Sequence, residues 1–391
     1  MKVIINKAER LWKMPQSLLG SMTFARKRLA SRGVDLIDLD HFIPEKHNAI
    51  SPPGEAPDTR EMTDSQLVSI LKQKILETYP YLKGASLDPD KEITLIPGIR
   101  AGSALIALGI LNQGDIALYP DPGLQYMRAS ISLAEGHSRR YNLLESNDYV
   151  ANISSLLPSS HKRMKILFVN YPHDPTGATV DIYFYRELLK ALRSANILTV
   201  ADCSFVYPGD SNITTPLQVK NGKRKAIELH TFATTLGIPG LGFAAGHKDV
   251  ISIVNLLLGI QGFIPERHRI RGTIEALDRA QDIYKWRMGA LVARRDILCN
   301  GLKGLDWHVR AGKLSPFVWA RPPVRSTSLA FARRLFIKAG VKVTPGTDLG
   351  ESGEGWVRMA LIPDEDELHE AVRRLSQHSK IWQRKFRPDA R

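Results

Sequence analysis

Cysteine is scarce in this chain: only Cys203 and Cys299 occur in 391 residues. That excludes a disulfide framework, fits a reducing compartment and leaves no cysteine and histidine set at zinc-ligand spacing, so no metal is expected. Long hydrophobic runs are lacking too. Stretches such as Ile251-Ser-Ile-Val-Asn-Leu-Leu-Leu258 fall far short of the roughly 20 apolar residues that a membrane span needs. The opening Met1-Lys-Val-Ile-Ile-Asn-Lys-Ala8 has no uninterrupted apolar core. No export signal is therefore expected, and the expected location is cytoplasmic. Acidic residues are in deficit, 40 against 54 Lys and Arg, for a formal net charge of +14 and a pI near 9.7. Such a surface tolerates polyanions. The basic residues are spread out, however, with local clusters at Lys220 to Lys225, Arg267 to Arg271 and Lys380 to Arg387, and no nucleic-acid-binding motif accompanies them. Nucleic acid is not an expected partner. Internal repeats and low-complexity tracts are absent.

With 43% hydrophobic and 24% charged residues, the chain can bury one large core and a smaller second one, which makes two domains the expectation. From about residue 90 to 260, short apolar runs alternate with helix-length amphipathic segments, the pattern of a sheet with crossover helices. Strands are expected at 92–96, 115–119, 165–169, 197–201 and 226–230, and helices at 101–111, 123–134, 182–194 and 248–258. After Pro265, apolar residues at three- and four-residue spacing predict one long helix through Leu302 that ends near Gly301 and Gly304. A strand at 316–320 and helices at 328–339 and 364–377 complete a compact α+β module. The expected organisation is an N-terminal arm with part of a small domain over 1–60, a large α/β domain over 61–265, and a linking helix with a small C-terminal domain over 266–391.

Asn170-Tyr-Pro-His-Asp-Pro-Thr-Gly177 follows an expected strand and precedes an expected helix. Around it stand Pro97-Gly-Ile-Arg-Ala-Gly102, Tyr119-Pro-Asp-Pro-Gly123, Val200-Ala-Asp-Cys-Ser204, His230-Thr-Phe-Ala-Thr-Thr235 and Gly353-Glu-Gly-Trp-Val-Arg-Met-Ala-Leu361, with Val343-Thr-Pro-Gly346 ahead of the last. Any one of them alone is an ordinary turn of an α/β protein. In this order and spacing they resemble the class I/II aminotransferases, which depend on pyridoxal 5'-phosphate, and most of all the LL-diaminopimelate and aspartate aminotransferase branches. The resemblance implies the α/β fold called aminotransferase fold type I, with a mostly parallel mixed sheet in the large domain. It also implies site residues. Asp202 matches the aspartate that keeps the cofactor pyridinium protonated, and Arg358 the arginine that grips the substrate carboxylate; Asn170 is carried over as a substrate contact. Thr231 stands where a phosphate-binding serine is common, Arg100 in the phosphate loop and Asp174 at the ring-oxygen contact. Each has a plain structural reading as well: Asp202 as a loop-stabilising carboxylate, Thr231 as a strand-end hydroxyl, and Arg358 as a surface arginine pairing with Glu351 or Glu354.

Departures from the pattern weigh more. Thr234 occupies the position of the Schiff-base lysine, and Lys220, Lys223, Lys225 and Lys248 fall in flanking loops or helices. The family's arginine eight residues beyond the lysine is missing, because Thr235-Leu-Gly-Ile-Pro-Gly-Leu-Gly-Phe243 is two residues short. Ile99 cannot donate from its side chain, Leu124 replaces the aromatic that stacks on the ring, Asp174 replaces an asparagine, and Phe205 a tyrosine. The Pro-rich region 40–61 is short where the family brings a tyrosine loop across a dimer interface.

Three readings follow. The first is a degenerate homologue without transaminase chemistry, acting as a ligand-binding or partner subunit. In the second, an enzyme acting on an amino acid holds pyridoxal or pyridoxamine phosphate non-covalently, with His230 as the nearest stand-in for the lysine. The third is a conventional aminotransferase whose Schiff-base position lies a few residues from Thr234, although no lysine stands there to serve it. The expected partners are a second copy or a related aminotransferase, in a two-fold dimer, and a small amino or keto acid.

Overall fold

The computed structural model describes residues 6–12, 14, 35–40, 62–156, 163–210 and 212–379. The chain divides into two compact units, one of Met1–Pro15, Ile43–Pro172 and Ala178–Arg287, the other of Gln16–Phe42, His173–Gly177 and Met288–Arg391. Most of the short region 40–61 lies outside the described residues.

The first unit is built on a seven-stranded sheet of β1 (Ile93–Ile96), β2 (Ile116–Asp121), β3 (His137–Asn142), β4 (Met164–Asn170), β5 (Leu198–Asp202), β6 (Ala226–Thr231) and β7 (Gly242–Gly246), in the order β1-β7-β6-β5-β4-β2-β3. Only β7 runs antiparallel to its neighbours. Near-continuous apolar runs in β4 and β5 are what strands buried on both faces require. The helices are α1 (Asp64–Thr78), α2 (Ile99–Ile110), α3 (Gln125–Leu133), α4 (Ile182–Ala191), the single turn α5 (Phe232–Leu236), α6 (Lys248–Ile260) and α7 (Arg267–Asp278). Leu105 and Ile106 of α2, Ile131 of α3, and Val250 and Val254 of α6 pack onto Ile166, Phe168, Val200, Ile227 and Leu229 of the sheet. Each such burial contributes about 1.5 to 3 kcal/mol. The five expected strands form within two residues of their expected limits. The single helix expected after Pro265 is corrected to two, α7 and α8 (Ala280–Lys303). Arg279 between them takes φ −112° and ψ 15°, and its N–H turns back to the carbonyls of Ala276 and Leu277, which closes α7. The boundary between the units falls inside α8.

In the second unit, β8 (His308–Arg310), β9 (Phe317–Arg321), β11 (Thr344–Pro345) and β12 (Val357–Ala360) form an antiparallel sheet in the order β11-β12-β9-β8, while β10 (Val341–Lys342) pairs in parallel with Ile37–Asp38. Helices α9 (Ser328–Ala339) and α10 (Glu365–Gln377) cover it. Leu298, Leu302, Val318, Phe331, Leu335, Met359 and Leu368 lie in its core. The segment His173–Gly177 joins this unit through a backbone contact: a Cβ on Gly177, which has φ +71°, would stand 2.3 Å from the Gly312 nitrogen.

Candidate functional site

In an open α/β sheet, ligands bind beyond the carboxyl ends of the parallel strands. Register brings the ends of β4, β5 and β6 together, Asn170 opposite Asp202 and Asp202 opposite Leu229. The Asp202 side chain is buried and already holds donors from its own chain. Its Oδ1 accepts from the Ser204 N–H at 2.8 Å and the Ser204 hydroxyl at 2.6 Å, and its Oδ2 accepts from the Tyr126 hydroxyl. Asn170 Nδ2 donates to the Asp202 carbonyl at 3.1 Å and the Pro172 carbonyl at 3.3 Å, so it stitches two strand ends together. Tyr126 was not singled out by sequence reasoning. It sits in the first turn of α3, two residues past Leu124, and that spacing after Pro122-Gly123 is the one signal that could have found it.

Thr231 caps α5: its hydroxyl accepts from the Ala233 N–H at 3.2 Å. Inside that turn, Thr234 Oγ1 donates to the Ser204 carbonyl at 2.5 Å, and Arg287 Nη1 donates to the Thr234 carbonyl at 3.0 Å. A cation at the C-terminal carbonyls of a helical turn is well placed electrostatically. Arg287 is itself held below the usual arginine range by burial, with Tyr207 acting in the opposite direction. The lysines do not reach this end. Lys225 precedes β6, at the other end of the strand from Thr234, and donates to the Ala195 carbonyl at 2.7 Å, while Lys223 pairs with Glu92 at 2.9 Å. Lys248 opens α6. Arg100 is exposed in the first turn of α2, Ile99 beside it is buried, and Phe205 is buried as well.

In the second unit, Asp174 and Arg358 find each other. Nη1 of Arg358 donates to both carboxylate oxygens of Asp174 at 3.0 Å, and Nη2 donates to Thr344 Oγ1 at 3.3 Å and to the Asp40 carbonyl at 3.5 Å. The guanidinium lies 4.0 Å from the centre of the Phe317 ring. The side chains are 12% and 4% exposed. Arg358 is thus no surface residue paired with Glu351 or Glu354, and its carboxylate comes from its own chain. Beside it, Lys342 pairs with Asp40 at 2.9 Å and with Asp38 at 3.1 Å. Burial pushes the Asp40 carboxyl up, but the Thr344 hydrogen bond and the cations Lys342 and Arg358 outweigh it and hold the group below its ordinary value.

The His230 side chain is buried among residues of its own unit. Side chains alternate along β6, and His230 shares a face with Glu228 while Leu229 faces the apolar core. Its Nε2 lies 3.1 Å from Glu228 Oε2 and 3.4 Å from the Tyr81 hydroxyl, and its ring stacks on Phe243 at 4.3 Å. Glu228 Oε1 accepts from the Leu217 N–H at 3.0 Å. Cys203, Glu228 and His230 bring ligand-type atoms within 4.8 Å of one another, a grouping hidden in sequence because Cys203 comes from the end of a different strand. Glu228 and His230 Nε2 are hydrogen-bonded to each other, His230 Nδ1 is buried without a partner among the described residues, and burial pushes the Cys203 thiol well up.

Pyridoxal phosphate needs an amine for its Schiff base, a carboxylate at its ring nitrogen and a cup of donors for its phosphate. The residues present do not fit that group in the family's manner. Residue 234 has no amine and Asp174 is paired with Arg358, whereas Asp202, which accepts from Ser204 and Tyr126, keeps acceptor capacity as a carboxylate.

A model of the family described as aminotransferase class I and II matches residues 38–375. Among curated proteins, the chain is 31% identical over 382 residues to the LL-diaminopimelate aminotransferase of Halothermothrix orenii, covering 95% of this chain and 98% of that protein. It is 29% identical to the protein of the same name from Moorella thermoacetica, over 95% and 98% of the two chains. Among solved structures it resembles a mutant aspartate aminotransferase from Thermus thermophilus, with a TM-score of 0.82 at 21% identity over 96% of this chain and 100% of the other. An aminotransferase from Staphylococcus aureus gives 0.81 at 23%, over 96% and 100%. These likenesses carry the fold, aminotransferase fold type I, with its large mixed sheet and smaller antiparallel one.

Proposed function

This chain belongs to the aminotransferase class I and II family, and from that premise we propose that it is a member without Schiff-base chemistry, serving as a ligand-binding or partner subunit. The observation that carries the reading is Thr234: at the position of the family's lysine stands a hydroxyl that donates to the Ser204 carbonyl. The pairing of Arg358 with Asp174 supports it, since the position that would hold a substrate carboxylate is occupied from within the chain. The non-covalent alternative gains nothing from His230, which is buried against Glu228 and Phe243.

The partner in this reading is a second chain, either the same or a related aminotransferase. Leu256 and Ile260, one turn apart on α6, and Ile264 just beyond are 65%, 73% and 73% exposed, more apolar surface than a solvated helix face needs. The location is the cytoplasm, in keeping with two free, buried cysteines. Among the described residues no helix is long and apolar enough to cross a membrane.

The test is borohydride reduction of the purified protein after incubation with pyridoxal phosphate, followed by peptide mass mapping. No lysine should be modified stoichiometrically. An adduct on any lysine at one per chain overturns the reading.

A further inference from the structure

We propose that Asp174 is an internal ligand of Arg358, filling the seat that this arginine would otherwise offer to a carboxylate, so that the protein does not hold amino or keto acids through Arg358. The proposal deepens the preceding one and rests on it for the view that the chain has left transaminase chemistry.

Arginine recognises a carboxylate by presenting a planar, charged set of N–H donors. Here both terminal nitrogens of the guanidinium find partners inside one unit, while the buried Nε has none among the described residues. Nη1 holds both oxygens of Asp174, Nη2 is turned to the Thr344 hydroxyl and the Asp40 carbonyl, and the face of the guanidinium rests on Phe317. An incoming carboxylate would have to displace Asp174, which is 4% exposed and would be left without its cation. A buried charge stripped of its partner is strongly unfavourable. A tethered ligand also competes at an effective concentration of millimolar or above. Asp174 therefore acts as a specificity residue that excludes carboxylates. Asp174→Asn keeps the shape, removes the charge and leaves Arg358 in need of an anion.

The experiment follows the side-chain N–H signals of Arg358 by NMR, assigned with Arg358→Lys, while succinate or L-aspartate is added to about 10 mM. In the wild-type protein these signals should not move. In Asp174→Asn they should shift saturably, with an apparent affinity at least about tenfold tighter than any wild-type response. Saturable, Arg358-dependent binding of succinate by the wild type overturns the proposal, and so does a folded Asp174→Asn that gains nothing. Should Asp174→Asn fail to fold, the wild-type titration decides alone, silence supporting the proposal and saturable shifts overturning it. The two readings fail separately. A trapped lysine with silent Arg358 signals would remove the earlier reading and leave this one, and succinate on wild-type Arg358 with no trapped lysine would do the reverse.

Discussion

Restoring the amine by Thr234→Lys is expected to destabilise the protein without making it a transaminase. The substitution removes the hydrogen bond from Thr234 Oγ1 to the Ser204 carbonyl, and a buried carbonyl left without its donor costs about 1 to 3 kcal/mol. It also sets an ammonium into a half-buried turn already occupied by the Arg287 guanidinium, which donates to the Thr234 carbonyl at 3.0 Å. Two like charges about 6 Å apart at an effective dielectric near 20 repel by roughly 3 kcal/mol. The amine responds by losing its proton, so part of that repulsion is relieved. A net destabilisation of about 2 to 5 kcal/mol is expected in urea denaturation. Replacing Arg287 by methionine in the same chain should return about 2 kcal/mol of it, a coupling that a purely steric effect would not show. For activity, Arg358 would still be held by Asp174. Single-turnover conversion of pyridoxal to pyridoxamine phosphate, with aspartate, glutamate, alanine or diaminopimelate as donor, should therefore remain at background. Clear conversion at micromolar cofactor would refute this reasoning and make Asp202 and Arg358 working contacts.

Strands β4, β5 and β6 were legible because each is an apolar run stopped by a polar residue, Asn170, Asp202 and Thr231, at the end where sites form. Two strands of the same sheet were not. β3 reads His-Ser-Arg-Arg-Tyr-Asn on the sheet's edge, where only Tyr141 is buried, so it carries no apolar alternation. β7 reads Gly-Phe-Ala-Ala-Gly, and its pairing comes from neighbours on both sides rather than from its own propensity. Gly242 is needed there, since a Cβ would lie 2.2 Å from the His230 carbonyl oxygen. At the site, the absence of a lysine is a one-residue fact and visible at once. The pairing of Asp174 with Arg358 spans 184 residues of sequence. Reading Asp174 only as a substituted ring contact hid it, because motif matching compares each position with a family and not with the rest of its own chain. The same limit hid Arg287 and Tyr126, which belong to no motif.

Gly177→Ala should destabilise the protein by about 3 kcal/mol in urea denaturation, since position 177 has φ +71° and the added Cβ would meet backbone atoms of Gly312 at 2.3 and 2.5 Å; a change under about 1 kcal/mol would contradict the packing described. Light scattering at micromolar concentrations should find a two-fold dimer, and Ile260→Asp should shift it towards monomer; a wild-type protein that is monomeric throughout, with no binding to a related aminotransferase, counts against the partner reading. The last prediction concerns acid. Asp40 is buried, which raises its pKa, yet the Thr344 hydroxyl, Lys342 and Arg358 together bring it below the ordinary value of 3.8. A carboxylate with a folded pKa below its unfolded one contributes stability that is complete above the unfolded value and is lost as the pH falls through the folded value. Asp40 therefore contributes fully at neutral pH, and its share should disappear only below about pH 3.8. Carbon-13 carboxyl titration should place its midpoint under 3.8. Lys342→Met should move that midpoint upward, because it removes both a charge and a hydrogen bond and leaves the burial in place. An Asp40 midpoint at or above 3.8 in the wild-type protein would mean that burial outweighs the cations. In that case the charge group around Arg358 would be weaker than its geometry implies.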